Sequence, residues 1–88
     1  MRVLGYHLDG DAFCADCAPA GCADNPLAYP IFSVDEGDCP TNCVKCEDLI
    51  RHALTTDGLD YIRGAREDLA LGMGRPEIVK EWAEAYLA

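Results

Sequence analysis

The side chains in this chain best placed to do chemistry are cysteines, and two pairs of them repeat one spacing. Cys14-Ala15-Asp16-Cys17 and Cys43-Val44-Lys45-Cys46 are both C-x2-C steps, with 25 residues between the pairs. Such a step lets two thiolates from one tight turn grip the same tetrahedral ion, and two such turns complete a closed four-cysteine site. Cys14, Cys17, Cys43 and Cys46 are therefore the expected ligands, and zinc is the expected ion. The competing reading of the same residues is two disulfides or four buried thiols. Cys22 and Cys39 stand outside the pairs at separations that still permit chelation, Cys17-x4-Cys22 and Cys39-x3-Cys43. Either they replace a first-choice ligand or join His7 or His52 in a second site, or they are spare thiols behaving as small apolar residues. Paired C-x2-C steps also make rubredoxin-type iron sites, so an electron carrier is a further reading.

Other chemistries find little support. Catalytic zinc keeps three protein ligands, often histidines, and an open water position beside a general base. Here His7 and His52 lie in separate segments with no H-E-x-x-H, and the only serine, Ser33, has no G-x-S-x-G setting. Gly72-Met73-Gly74 reads as a helix stop rather than a phosphate-cradling loop. The chain is read as noncatalytic.

The elements that must position these cysteines are short. Val3 to Phe13 alternates like a β-hairpin, with Leu4, Tyr6 and Leu8 on one side and Asp9-Gly10 as the turn, delivering Cys14 at the end of its second strand. Ala18 to Pro30 carries Pro19, Gly21, Asn25, Pro26 and Pro30 and reads as a loop. Ile31-Phe32-Ser33-Val34 predicts a third strand, closed by Asp35-Glu36-Gly37-Asp38. Beyond Cys46 the apolar period lengthens. Leu49, Ile50, Ala53 and Leu54 suggest one short helix; Leu59, Ile62, Ala65, Leu69 and Ala70 a second, capped by Thr56 or Asp57. Pro76 can open a third, running from about Glu77 to Leu87, on which Ile78, Val79, Trp82, Ala83 and Tyr86 share a face. The expected fold is α+β in one small domain: a zinc-ribbon-like β-hairpin or three-strand unit in the Cys-rich part, residues 1–46, then two or three short helices in 47–88.

Size and charge bound the function. At 88 residues the chain sits near the size at which an apolar core alone holds a fold, so a staple is expected. The N-terminus turns polar too early for a signal peptide and no stretch approaches transmembrane length, which predicts an intracellular, cytoplasmic protein whose thiols stay reduced. The formal charge is −9, and residues 1–44 hold seven acids against one base, Arg2. Direct nucleic-acid binding needs a basic footprint that this chain lacks. The acidity is either a solubilising surface or a working one.

The run Pro30-Ile31-Phe32, acidic Asp35-Glu36 and Asp38, Cys43-Val44-Lys45-Cys46-x2-Leu49-Ile50 and Leu54-Thr55-x2-Gly58 resembles small, mostly uncharacterised zinc-ribbon-like proteins of phages and prokaryotes. The likeness spans residues 5–62 loosely and implies the two C-x2-C pairs as zinc ligands, with no activity attached. It departs from the ribbon pattern in Glu47, where a glycine usually follows the second pair, and in the extra Cys22 and Cys39. The function expected is a protein-protein interaction or regulatory module. Its candidate partner-binding residues are the acids Asp35, Glu36 and Asp38 and the aromatic helix face of Trp82 and Tyr86, which docks a partner, a second copy, or simply its own core. The alternative is an acidic mimic of nucleic acid that inhibits a nucleic-acid-binding enzyme, as phage anti-CRISPR proteins can.

Overall fold

The computed structural model of the protein describes residues 2–88, and it is α+β: short strands first, two helices last. Strand β1 (Val3–Leu8) and strand β2 (Asp11–Cys14) form an antiparallel hairpin in which Leu8 faces Asp11 and Gly5 faces Cys14. Its turn has Asp9 at φ 53° and Gly10 at φ 83°, two left-handed residues in succession, the geometry whose twist matches a two-residue hairpin. Strand β3 (Tyr29–Phe32) pairs antiparallel with the other side of β1, giving the order β2-β1-β3.

β3 begins two residues before the expected Ile31 start and ends before Ser33, because Pro30 is tolerated on an edge strand and Asp35 closes the chain early. The Asp35 backbone N–H donates to Phe32 O at 3.1 Å, and its carboxylate accepts from Phe32 N at 2.8 Å. The preceding loop holds one turn of 3-10 helix at Cys22–Asp24, opened by Gly21.

No helix forms over Leu49 to Leu54. That segment makes two short strands, β6 (Leu49–Ile50) and β7 (Ala53–Leu54), which pair respectively with β5 (Thr41–Asn42), antiparallel, and with β4 (Glu36–Gly37), parallel. Six residues are too few to repay helix nucleation. Open ladders on β4 and β5 satisfy the same backbone groups, and Ile50 is still buried. The strand-bearing part therefore runs to Leu54.

Helix α1 (Thr56–Ala70) is capped by Thr55, one residue before the expected caps, whose hydroxyl accepts from Gly58 N at 3.1 Å. The same hydroxyl donates to Asp38 Oδ1 at 2.6 Å, so one side chain caps the helix and ties it to the segment after β4. Gly58 sits where a Cβ would come within 2.7 Å of Gly37 O, which lets α1 lie directly on β4. Gly72, at φ 81°, follows the end of α1, and Pro76 opens α2 (Pro76–Tyr86). Ala70, expected on the apolar stripe, is exposed. The buried hydrophobic side chains, Cys22, Ile31, Cys43, Ile50, Ile62 and Val79, are few and spread through a body measuring 43 × 23 × 19 Å. A core this thin leaves room for a staple.

Candidate metal centre

Each cysteine pair is presented by a strand end. Cys14 closes β2, and its carbonyl accepts from Cys17 N at 3.1 Å and Ala18 N at 3.0 Å, which folds the first turn tightly enough to aim both sulfurs one way. Cys43 follows β5 and Cys46 precedes β6. That second turn is braced by Cys43 N to Asp48 O at 2.8 Å and Glu47 N to Cys43 O at 2.9 Å. Val44 N donates to Ala12 O at 2.8 Å, a backbone bond that sets the two turns side by side.

The sulfurs of Cys14, Cys17, Cys43 and Cys46 all lie within 4.8 Å of one another. Cys14 Sγ and Cys46 Sγ are 3.7 Å apart. An ion bonded to sulfur at about 2.3 Å has a tetrahedral S···S edge of about 3.8 Å, whereas a disulfide needs about 2.05 Å. The spacing fits a shared ion, and all six cysteines are free thiols. The electrostatics agree. Burial pushes the Cys43 thiol up, but backbone groups of Cys46, Cys14 and Lys45 directed at its sulfur outweigh that and bring it down to about 6. The Lys45 N–H lies 3.4 Å from that sulfur. Cys17, by contrast, is pushed up to about 12 by hydrogen bonding to the Cys14 and Cys46 sulfurs. Four crowded sulfurs thus ionise together only against a cation, which a divalent ion supplies.

The other sequence candidates are placed elsewhere. Cys22 is buried in the 3-10 turn, Cys39 is exposed, and His7 is exposed on β1. His52 is buried with both ring nitrogens engaged: Nδ1 donates to Ala53 O at 2.7 Å, so in the neutral ring Nε2 accepts from Thr41 Oγ1 at 2.8 Å. His7, Cys39 and His52 do border one hollow of about 180 Å³ with Asp35, Glu36 and Asp38. Among the described residues, however, only the four-cysteine set converges as a metal-ligating group. Asp35, Glu36 and Asp38 are exposed, and two of them hold their own loop: Asp35 accepts from Phe32 N and Asp38 from Thr55 Oγ1.

Trp82 and Tyr86 turn inward. Trp82 Nε1 donates to Asn42 Oδ1 at 2.7 Å, and Tyr86 OH donates to His52 O at 2.7 Å. Partial burial pushes the Tyr86 phenol up. Arg75 forms an exposed ion pair with Glu47, whose carboxyl is held below its usual range first by that hydrogen bond and then by the guanidinium charge. Asn42 directly precedes Cys43 and Glu47 directly follows Cys46, so α2 grips both ends of the second cysteine turn. Sequence reading overlooked Asn42, Glu47 and Arg75 as links; the only signal was that Asn42 and Glu47 flank the second cysteine pair. Glu47 also stands at φ 66°, a left-handed conformation that glycine adopts more readily than a residue with a Cβ. Asn42 Nδ2 donates to Glu47 O at 2.7 Å and helps hold it there.

No protein family, curated protein or solved structure matches the chain. Among the described residues no helix is long and apolar enough to cross a membrane. The four-cysteine cluster can hold a metal ion and is compatible with a small zinc-binding module.

Proposed function

We propose that the chain is a noncatalytic protein-interaction module whose fold is held by one zinc ion on Cys14, Cys17, Cys43 and Cys46. The observation that supports this reading is the closed donor set: four sulfurs within 4.8 Å of one another provide all the ligands of a tetrahedral ion. A shell filled by four thiolates leaves no position for a water or substrate, which is the arrangement of structural zinc. Thiolate softness suits zinc, and function then lies on the surfaces that the ion holds in place.

The test is metal analysis of the purified chain beside a binding assay. One equivalent of zinc in a colourless protein, lost together with folding and partner binding on chelation or in Cys43→Ser, is the expected result. A red protein carrying iron would replace this reading with electron transfer. A folded chain that binds its partner equally well with and without metal would remove it.

A further inference from the structure

Between the second cysteine turn and the two helices runs an open groove of about 650 Å³, within the range of ligand and peptide-side-chain sites. Its apolar wall is made by Val44, Tyr61, Ala65, Ile78 and Trp82. Val44 is 54% exposed and Tyr61 52% exposed, so the two large apolar residues on its rim face solvent. Tyr61 and Trp82 meet with ring centroids 5.9 Å apart, inclined at 57°, and form the aromatic end.

The charged residues of the groove are not equivalent. Glu47 and Arg75 neutralise one another in an ion pair. Lys45 lies on the cysteine-turn wall, and Asp68 lies on α1, seven residues and about 10 Å along the helix from Tyr61. Asp68 forms no ion pair among the described residues. It also stands beside Glu67 in the last turn of α1, a turn with no base, where the helix dipole disfavours carboxylates. A cation arriving from outside would relieve that position.

Building on the interaction-module reading, we propose that this groove binds an extended segment of a partner protein, seating an apolar side chain among Val44, Tyr61 and Trp82 and an arginine or lysine against Asp68. Lys45 keeps that cation on the α1 side and is free to donate to the segment's backbone carbonyls. Because Asn42, Cys43 and Glu47 also border the groove, one wall is the metal-bound turn itself.

The test uses the full, metal-loaded, ¹⁵N-labelled chain and a capped peptide in which leucine is flanked by two arginines and terminal glycines. The expected result is saturable shifts at the Lys45, Ala65, Asp68 and Ile78 amides and the Trp82 indole. Affinity should fall at least about tenfold when glutamates replace the arginines or serine replaces the leucine, roughly 1.4 kcal/mol. Asp68→Asn, at an exposed site, should remove most of the preference for arginine without altering folding. Shifts scattered over the acidic surface, equal affinity for the glutamate peptide, or an equal loss when Asp35, Glu36 and Asp38 are neutralised together would overturn the proposal, since each marks diffuse attraction. Absence of groove shifts in a chain that still carries zinc and still binds a partner elsewhere would remove the groove alone. Loss of all partner binding with zinc retained would remove the interaction module itself.

Discussion

The two cysteine turns share a spacing and differ in how the rest of the molecule holds them. The first follows β2 and leads into residues 18–28, a loop whose backbone bonds are local, such as Cys22 N to Pro19 O at 3.1 Å and Ala28 N to Asn25 O at 3.0 Å. The second is closed by the β5–β6 pair, tied to β2 through Val44, and gripped by α2 and its N-terminal flank through Trp82 on Asn42 and Arg75 on Glu47. An ion bridging them therefore joins a weakly supported turn to a strongly supported one. The metal should order the first turn most and be tuned by the second.

The largest effect should come from removing the ion. Apparent zinc-binding free energies of about 10–16 kcal/mol exceed the margin of an ordinary small domain, so metal loss becomes loss of fold. Chelation or Cys43→Ser should abolish cooperative thermal unfolding. In hydrogen exchange, residues 14–28 should lose protection first and most completely. Helical circular dichroism should fall as well, because α2 is bonded to the segment that carries Cys43 and Cys46. Helices that keep full ellipticity and sharp unfolding without metal would show that the contacts from α2 do not couple the two parts.

A smaller loss should follow from Thr55→Ala, which removes both the α1 cap and the bond to Asp38. Cap removal alone costs about 1–2 kcal/mol, read as a lower denaturant midpoint at unchanged metal content. A drop in metal affinity as large as that of a cysteine variant would mean that α1, and not α2, carries the coupling.

Trp82→Phe sharpens the comparison further. It keeps most of the ring contact and deletes the donor to Asn42 Oδ1, a loss of about 1 kcal/mol. If docking of α2 and metal binding are linked, the same free energy appears as roughly fivefold weaker metal binding. The control lies on the first turn's side: Asn25→Ala removes the local bond to Leu27 N at 2.9 Å and should leave metal affinity unchanged. Equal effects of the two variants would erase the asymmetry.

Much of this arrangement was legible in the residues. Asp9-Gly10, Pro76 and Gly72 are signals whose physics is local, and they mark the hairpin turn, the start of α2 and the end of α1; the paired C-x2-C steps come together as one cluster able to hold an ion. What failed needed tertiary information. Leu49, Ile50, Ala53 and Leu54 have a helix-like period, yet unpaired ladders on β4 and β5 decided their conformation. The pattern of the last helix favours packing on its own core over an outward anchor, but it does not name the acceptors, Asn42 Oδ1 for Trp82 and His52 O for Tyr86, which lie 40 and 34 residues away in sequence. The groove was invisible for the same reason, since Val44, Tyr61 and Trp82 are brought together only by the docking of α2 on the cysteine turn.

The smallest effect should come from Glu47→Gly, where two consequences oppose one another. Glu47 is held at φ 66°, so glycine relieves left-handed strain in the turn that carries Cys43 and Cys46. The change also deletes the pair with Arg75, which is exposed and screened by solvent and salt. The strain is present at every pH, whereas the pair is not. Because the Glu47 carboxyl is depressed below its usual 4.5, its contribution is fully present above that value and is lost as pH falls through the lowered one. Glu47→Gly should therefore raise the thermal midpoint slightly at neutral pH and high salt. Its advantage should grow below pH 4.5 for as long as the metal stays bound, as the wild-type pair dissolves. A lower midpoint at neutral pH and high salt would show that Arg75, rather than Trp82, is the main grip of α2 on the second cysteine turn.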